Sequence, residues 1–238
     1  MSAPMILHKL IVHHAKHGYD HAFSRMQVDD AIRWLRDRGV AMGQGTTALD
    51  LGCGSGTFGQ RLLEMGCKVT FADESDWLPA EIPRTSFRRL NLDTESLDSL
   101  GRHDLVICSN VLEHLRESER LIRSFPALLM PGGHLYLSWT NWLSPWGGHD
   151  FSPWHYLGPR LGPRLFDRLV GKPRALKPFE NLFVTHIGRT LRLLRAQRHL
   201  DVVAVAPRYY TELWPLMKIP VLREVLAWNC AALVARRD

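Results

Sequence analysis

The sequence predicts an α/β fold built on a doubly wound parallel sheet, and three observations indicate it. Short apolar strands alternate with helical patterns from residue 46 to residue 140, an arrangement typical of parallel sheets. The stretch "LDLGCGSGTFG" at residues 49–59 is a glycine-rich turn between a strand and a helix. The chain has 238 residues, 45% of them hydrophobic, which is enough to bury the core of one such domain.

The strands and helices of this core can be placed in order. Five apolar runs predict strands, of which the third is weak, at residues 46–52, 67–73, 86–93, 103–110 and 132–140. Apolar residues at helical spacing predict helices at residues 21–39, 57–66 and 117–130. Gly39 and Gly66 end the first two helices, and Pro126 is expected to bend or shorten the third.

The pattern changes after residue 158. Helical patterns occupy residues 160–171 and 180–199, and two final strands are predicted at 200–209 and 229–237. Between these strands lies an apolar segment that prolines interrupt. We expect it to cover the sheet edge, and contact with a bilayer surface or a second subunit stays open as an alternative.

The charge of the chain is concentrated in one segment. The net charge is +6, but residues 158–199 hold ten Lys or Arg against two acids, a local charge of +8. Two arginine series recur at helical spacing there: Arg160, Arg164 and Arg168, and then Arg189, Arg192, Arg195 and Arg198. A solvated helix face is the favoured interpretation. Attraction to an anionic acceptor or a membrane surface is the alternative, and nucleic acid is not favoured because the remaining residues sum to −2.

The cysteines and the N-terminal residues indicate the cellular compartment in which the protein is expected. The four cysteines, Cys53, Cys67, Cys108 and Cys230, are far apart, which predicts reduced and buried thiols. Residues 1–18 contain only a short apolar run broken by His and Lys, which is not typical of a signal peptide or a membrane span. We therefore expect a cytoplasmic protein, with contact to the inner face of the membrane left open.

The glycine-rich turn indicates a cofactor that contains adenosine. Gly52, Gly54 and Gly56 allow a sharp turn and a close approach of the backbone to a ligand, and Asp73 ends the next strand, where it suits ribose hydroxyls. The spacing alone fits both NAD and S-adenosylmethionine. Asp50 favours S-adenosylmethionine, because a carboxylate repels a pyrophosphate but attracts a sulfonium and an ammonium group.

Several motifs in succession strengthen this interpretation. The stretches "LDLGCGSGTFGQRLLEMG", "VTFADES", "NLD", "DLVICSNVLEHL" and "LLMPGGHLYLS" resemble, in order and spacing, those of class I S-adenosylmethionine-dependent methyltransferases. The resemblance covers residues 46–140. It implies a Rossmann-like sheet of seven strands in the order 3-2-1-4-5-7-6, with the seventh strand antiparallel and helical lid insertions added.

The resemblance also implies roles for individual residues. Gly52, Gly54 and Gly56 would line the methionine part of the cofactor, and Asp50 would hold its amino end. Asp73 would take the ribose hydroxyls, and Asp93 with Leu92 would meet the adenine edge. Ser109 and Asn110 would form the floor of the site, and Glu74 is a further cofactor-binding candidate. The expected cofactor is S-adenosyl-L-methionine.

We predict a single methyltransferase domain over residues 1–238. Its parts are an N-terminal helical cap (1–45), a cofactor-binding core (46–140), a lid or acceptor segment (141–199), and the last two strands (200–238) with an apolar insertion (208–228). The stretches "NWLSPWGGHDFSPWHYLG", "ENLFVTHIG", "PRYY" and "IPVLREVL" are also similar to a group of bacterial methyltransferases with a "GGH" loop after the fifth strand. That likeness suggests sugar or lipid-linked acceptors.

The segment that leaves the fifth strand is rich in aromatic residues and is expected to wall the acceptor site. Trp142, Trp146, Trp154 and Tyr156 offer flat apolar surfaces with polar ends, which suit sugar rings, acyl chains and planar aromatics. Packing of these residues onto the sheet is the alternative. Gly147–Gly148 would give flexibility or allow a close approach.

Histidines are the candidate general bases. A hydroxyl acceptor must lose a proton as it attacks the methyl group, and histidine suits that task near neutral pH. His149 is the first candidate, His114 the second and His155 the third. Asp150 with His149 and His155 could bind a metal, but so few residues do not establish a site, and no metal site is predicted.

The most specific function predicted is O-methylation of a sugar, a glycolipid or a small secondary metabolite, so the expected partner is a small-molecule or lipid-linked acceptor. The alternatives are a methyltransferase acting on nitrogen, carbon or RNA, and a cofactor-binding partner subunit without catalysis.

Overall fold

A computed structural model of the chain describes residues 6–171 and 176–237. The α-helices are α1 (Ile6–His17), α2 (His21–Arg36), α3 (Thr57–Glu64), α4 (Ser118–Leu128), α5 (Gly158–Leu169), α6 (Ile187–Arg195) and α7 (Pro220–Leu226). The strands are β1 (Thr47–Leu51), β2 (Lys68–Asp73), β3 (Phe87–Arg89), β4 (His103–Ser109), β5 (Leu129–Thr140), β6 (Leu200–Pro207) and β7 (Asn229–Arg236).

The seven strands form one sheet in the order β3-β2-β1-β4-β5-β7-β6, which confirms the expected topology. Strands β1 to β5 are parallel, and β7 runs antiparallel to both β5 and β6. The order reverses between β1 and β4, where Asp50 is in register with Ile107. Crevices at the carboxyl ends of strands on either side of such a reversal are where doubly wound sheets bind ligands.

Alternate residues of the central strands supply two separate cores. Leu49 and Val106 belong to the layer that contains α4 and α6, whereas Ala48 and Leu105 belong to the layer that contains α2 and α3. This alternation is the period of two that a sheet covered on both faces requires. All four cysteines are free and buried, so the prediction of buried thiols is confirmed.

A third, smaller cluster joins the N-terminus to the end of β6. Ile6 and Leu10 of α1 pack with Phe23 of α2 and with Tyr209 and Tyr210. The backbone amide of Leu7 also donates to the carbonyl of Tyr209 at 3.3 Å. Helix α1 is therefore held over the carboxyl ends of the strands.

The predicted helix at residues 180–199 is much shorter than expected, because only Ile187–Arg195 is helical. The preceding residues are tied to other parts of the chain. The amide of Phe183 donates to the carbonyl of Glu113 at 2.7 Å, and the amide of Trp142 donates to the carbonyl of Thr185 at 3.0 Å. These bonds give the backbone partners that a helix would otherwise supply, so the segment runs across the site in an irregular conformation.

The apolar insertion forms a 3-10 helical stretch (Thr211–Lys218) followed by α7. Met217 is buried in the core beside β6, in keeping with the expected cover of the sheet edge. Most other apolar side chains of the insertion are exposed, among them Trp214 and Val221. Among the described residues, no helix is long and apolar enough to cross a membrane.

Both arginine series lie largely on the surface. Arg160, Arg164 and Arg168 are exposed on α5, and Arg189 of α6 donates to Glu119 at 2.7 Å. Arg198 lies beyond the end of α6, so the second series is only partly helical. Two other basic residues of this segment, Lys172 and Arg174, lie outside the described residues.

Candidate functional site

The glycine-rich turn closes against the end of β2. The amide of Gly52 donates to the carbonyl of Ala72 at 2.7 Å, and the amide of Gly54 donates to Asp73 Oδ2 at 2.9 Å. Gly52 has a φ of +69°, and a Cβ at this position would lie 2.5 Å from Cγ2 of Val111. Only glycine satisfies both the left-handed backbone and this close approach.

A cavity of about 310 Å³ opens beside this turn. It is lined by Gly52, Gly54, Asp73, Glu74, Leu90, Asn91, Leu92, Asp93, Asn110, Val111, His114 and Leu115. Three of these residues are acids and none is Lys or Arg. The cavity therefore favours a cationic or hydroxyl-rich ligand and disfavours an anionic one.

Asp50 lies behind the turn and does not line the cavity. Its side chain is 3% exposed, and Oδ2 accepts a hydrogen bond of 2.8 Å from the amide of Gly59. Burial raises its pKa to about 7, with a further rise caused by Asp73 and a partial opposing effect of the Gly59 hydrogen bond. Any cationic group at the turn would stabilise the ionised carboxylate.

Two other residues that the sequence places in the cofactor site also lie outside the lining. Gly56 has a φ of +73° and precedes α3, where a Cβ would lie 2.5 Å from Cδ2 of Leu78. Ser109 at the end of β4 lies within hydrogen-bond distance of Ser138. Direct contact of Gly56 and Ser109 with a cofactor stays a prediction.

Asp93 lines the cavity, but its carboxylate also holds the next element in place. Its two oxygens accept hydrogen bonds from the amides of Glu117 and Arg116, at 2.9 and 3.2 Å. The guanidinium of Arg120 donates to its backbone carbonyl. Asp93 therefore fixes the start of α4 next to the cavity, in addition to the contact with adenine that the sequence predicts.

A second and larger cavity, of about 500 Å³, lies under α1. Its lining is mostly apolar and aromatic: Leu7, Leu10, Ile11, His14, Ala15, Tyr19, Phe23, Ser24, Gln27, Asn110, Thr140, Trp146, His149, Tyr209, Trp228 and Asn229. The rings of Trp146 and Trp228 are nearly parallel, with centroids 6.3 Å apart and planes 9° apart. Such surfaces fit an apolar or ring-containing ligand.

Asn110 is shared by the two cavities. Its backbone has a φ of +56°, and its backbone N–H donates to the carbonyl of Ser138 at 2.8 Å. The buried guanidinium of Arg208 donates to Asn110 Oδ1 at 2.5 Å. These contacts hold Asn110 in place on the wall of both cavities.

The aromatic segment after β5 does not present all its rings to a ligand. Trp142 is 7% exposed and packs edge-on against His155, with their ring centroids 5.3 Å apart. Tyr156 is half exposed at the surface. Of the four predicted acceptor-facing rings, Trp146 lines the second cavity. Gly147 serves a close approach, because a Cβ there would lie 2.0 Å from the carbonyl oxygen of Trp142.

The structure brings His149 and His114 together. Their ring centroids are 5.9 Å apart, and they lie on different cavities. Nε2 of His149 is buried without a hydrogen-bond partner among the described residues. Burial lowers the pKa of His149, as does nearby His114, while Glu113 and Asp150 oppose that effect.

Glu113 completes this cluster. Its ligand atom and those of His114 and His149 all lie within 4.8 Å of one another. The grouping differs from the one considered from sequence, because Asp150 and His155 are not part of it. The cluster arises because the turn after β4 meets the turn that contains Gly147–Gly148, far away in the chain.

Sequence reasoning missed Glu113, Arg208 and Trp228. The pair Glu113–His114 stands inside the "VLEHL" motif, and a carboxylate next to a candidate base was a signal that could have been used. Arg208 and Trp228 carried no such signal. They reach the site only because β7 inserts antiparallel between β5 and β6.

A family described as "Methyltransferase domain" matches residues 19–169 of the chain, which is more than half of its length. Among sequence relatives, an uncharacterized methyltransferase of Mycobacteroides abscessus is 32% identical over 217 residues, covering 86% of this chain and 81% of the relative.

Solved structures share the fold. An S-adenosylmethionine-dependent methyltransferase from Mesorhizobium loti has a TM-score of 0.58 and 24% identity, covering 88% of this chain and all of the other. Magnesium protoporphyrin IX methyltransferase from Synechocystis PCC 6803, solved with bound SAH, has a TM-score of 0.52 and 18% identity, covering 100% and 90% of the two chains.

Proposed function

The chain belongs to the methyltransferase-domain family, and from this premise we propose that it transfers a methyl group from S-adenosyl-L-methionine to a hydroxyl of a small acceptor. The acceptor has an apolar or ring-containing body, as in a secondary metabolite, a sugar derivative or a glycolipid. One observation carries the proposal: an acidic cavity at the glycine-rich turn and an aromatic cavity under α1 share Asn110.

The charge of the first cavity supports a sulfonium cofactor over a dinucleotide. Asp73, Glu74 and Asp93 line it, and Asp50 lies beneath the turn. A dinucleotide would bring its pyrophosphate to the glycine-rich turn, where these carboxylates repel it. S-adenosylmethionine instead brings positive groups, while its ribose offers hydroxyls to the carboxylate of Asp73.

The second cavity supports a small acceptor. Its volume of about 500 Å³ is in the range of ligand pockets in proteins, roughly 300–1,000 Å³. The parallel rings of Trp146 and Trp228 suit the flat face of a ring. The polar groups of Asn110, Thr140 and His149 lie on its wall, where they could orient a hydroxyl toward the first cavity.

The protein's contribution to the reaction is to position and deprotonate the acceptor. The bound cofactor supplies an electrophilic methyl group on a sulfonium. Holding the acceptor oxygen in line with that group supplies much of the rate acceleration. His149 lies on the wall of the acceptor cavity, and its Nε2 has no hydrogen-bond partner within residues 6–171 and 176–237. In this proposal it accepts the hydroxyl proton, with His114 as the second candidate.

Cofactor binding is the first test. Calorimetry of the purified chain with S-adenosylmethionine, S-adenosylhomocysteine and NADH should give heats for the first two only. Asp73→Asn keeps an oxygen that can accept the Gly54 amide but removes the negative charge, and we expect it to weaken binding of both adenosyl ligands. Binding of NADH without either adenosyl ligand would contradict the proposal.

Methyl transfer is the second test. Extracts of small molecules and lipids are incubated with the chain and methyl-labelled cofactor, and products that gain one labelled methyl group are sought by mass spectrometry. His149→Ala should lower turnover about 100-fold or more while cofactor affinity stays unchanged. Tight cofactor binding with no labelled product from any extract would instead favour a partner subunit without catalysis.

A further inference from the structure

Glu113 is a buried acid that lies beside His114 of the first cavity and His149 of the second. Its side chain is 1% exposed. Oε1 accepts a hydrogen bond of 3.0 Å from the amide of Thr140, but Oε2 has no hydrogen-bond partner among the described residues. A buried carboxylate with an unused oxygen costs free energy unless a positive group compensates it.

The guanidinium of Arg208 does not compensate Oε2 of Glu113 through a direct hydrogen bond. Arg208 interacts electrostatically with Glu113, but its guanidinium donates to Asn110. Two imidazoles, those of His114 and His149, lie close to the Glu113 carboxylate. The ligand atoms of Glu113, His114 and His149 all lie within 4.8 Å of one another.

Each imidazole has a nitrogen left for a ligand. Nδ1 of His114 lies 3.0 Å from the backbone carbonyl of Asn181, so it must carry the proton, and the neutral ring keeps its lone pair on Nε2. Metal-binding histidines in proteins commonly donate their other ring nitrogen to a carbonyl in this way. Nε2 of His149 is buried and has no partner in the described part of the chain.

We propose that Glu113, His114 and His149 form a binding site for one divalent transition-metal ion such as Zn²⁺ or Co²⁺. Two imidazole nitrogens and one carboxylate oxygen are a donor set that these ions favour. Ligand atoms bound at about 2.1 Å lie roughly 3.4 Å apart in a tetrahedral site. The cluster therefore needs only small side-chain rotations to close around an ion, and it leaves one coordination position open.

The open position gives the ion a role in the proposed reaction, and this part rests on the proposed function. His114 lines the cofactor cavity and His149 lines the acceptor cavity, so the ion stands between the two. An acceptor hydroxyl bound to it becomes more acidic and releases its proton to water. The alkoxide then takes the methyl group, the carbon–sulfur bond breaks, and sulfur keeps the electron pair as a neutral thioether. In the ion-bound protein His149 is a ligand, so its role as the proton acceptor applies only when no ion is bound.

Ion binding is tested on the whole chain after chelation and dialysis. Calorimetry with Zn²⁺, and the visible absorption spectrum with Co²⁺, measure affinity, stoichiometry and nitrogen ligation without any need for activity. We expect one ion for each chain. Glu113→Gln keeps Oε1 as acceptor for Thr140 and should weaken binding at least about 100-fold, since losing even a partner of a ligand costs roughly 10–100-fold. His149→Asn should weaken binding to a similar extent because it removes an imidazole ligand. His149 has a φ of +50°, which asparagine tolerates, so the backbone should keep its conformation.

Asp150→Asn is the matched control, because Asp150 is exposed and next to His149 but outside the cluster. It should leave affinity within about twofold of the parent chain, as expected for a residue that is not a ligand. Equal affinity in the parent, Glu113→Gln and His149→Asn chains, or loss of binding in Asp150→Asn alone, overturns the site.

Methyl transfer by a fully chelated chain that binds no ion would refute the proposed role of the ion in the reaction. It would leave the proposed function standing. An ion bound by this cluster without methyl transfer to any acceptor would support the site and count against the proposed function.

Discussion

Replacing Asp50 with asparagine should change how the stability of the apo protein depends on pH. Asp50 is buried against α3 with one hydrogen bond, to the amide of Gly59. Burial raises its pKa from 3.8 to about 7. The difference corresponds to about 4 kcal/mol at 1.36 kcal/mol per pKa unit.

The sign follows from proton linkage. The folded chain holds the Asp50 proton more tightly than the unfolded chain does. The contribution of Asp50 to the free energy of unfolding is therefore fully present below about pH 4 and is lost as pH rises to about 7. Asparagine has no proton to lose, and its side-chain oxygen can still accept the Gly59 amide. Asp50→Asn should therefore match the parent chain near pH 4 and be more stable by up to about 4 kcal/mol at pH 8.

Urea unfolding of both chains at pH 4, 5, 6, 7 and 8 measures this difference. Other titrating groups are common to the two chains and cancel in the comparison. A stability difference that does not vary with pH would refute the argument, because it would mean that Asp50 titrates alike in folded and unfolded chains.

The same carboxylate makes a prediction about the cofactor. A positive ligand at the turn favours ionised Asp50, so S-adenosylmethionine should displace a proton on binding at pH 6. Calorimetry in buffers with different heats of ionisation counts that proton. Asp50→Asn should release fewer protons and should lose affinity for the cationic cofactor more than for neutral S-adenosylhomocysteine. Equal losses for the two ligands would show that Asp50 acts through the shape of the turn.

Three further substitutions test the cavities. Gly52→Ala should lower the free energy of unfolding by about 2–5 kcal/mol, from a left-handed backbone together with overpacking against Val111 at 2.5 Å. Gly54→Ala, with φ +51° and no atom within 4 Å of its Cβ, should lower it by only about 1–2 kcal/mol in urea unfolding. Similar losses for the two variants would contradict the packing argument. Trp228→Ala removes the ring parallel to Trp146 and should raise KM for the acceptor about 10-fold, roughly 1.4 kcal/mol. Calorimetry should find the affinity for S-adenosylmethionine unchanged. A loss confined to cofactor affinity would show that the second cavity is not the acceptor site.

Local sequence was sufficient to predict the glycine-rich turn beside the first cavity. Strand β1, the glycine-rich turn and α3 follow one another within residues 47–64, so their chemistry can be predicted from neighbours in the chain. Asp73 and Asp93 also stand directly at or near the ends of predicted strands. The expected sheet order was confirmed as well, although it came from resemblance to a family and not from the residues alone.

The prediction of a helix over residues 180–199 was wrong before Ile187, because backbone groups in that part bond to residues far away in sequence. Helical spacing continued from residue 180 to 199, yet residues before Ile187 are irregular. The amide of Phe183 bonds to Glu113, and Thr185 accepts from Trp142. A periodic pattern of apolar residues cannot reveal such bonds, because it reports only which side chains share a face.

The sequence by itself determined the strands of the central sheet, the glycine-rich turn and the carboxylates beside it, because each depends on residues that are close in the chain. Tertiary structure alone decided that Glu113 and His114 meet His149, and that α1 and Trp228 enclose the second cavity. These groups come from the turns after β4 and β5, from the N-terminus and from the start of β7. They converge because parallel strands bring their carboxyl ends to one edge of the sheet while antiparallel β7 begins there.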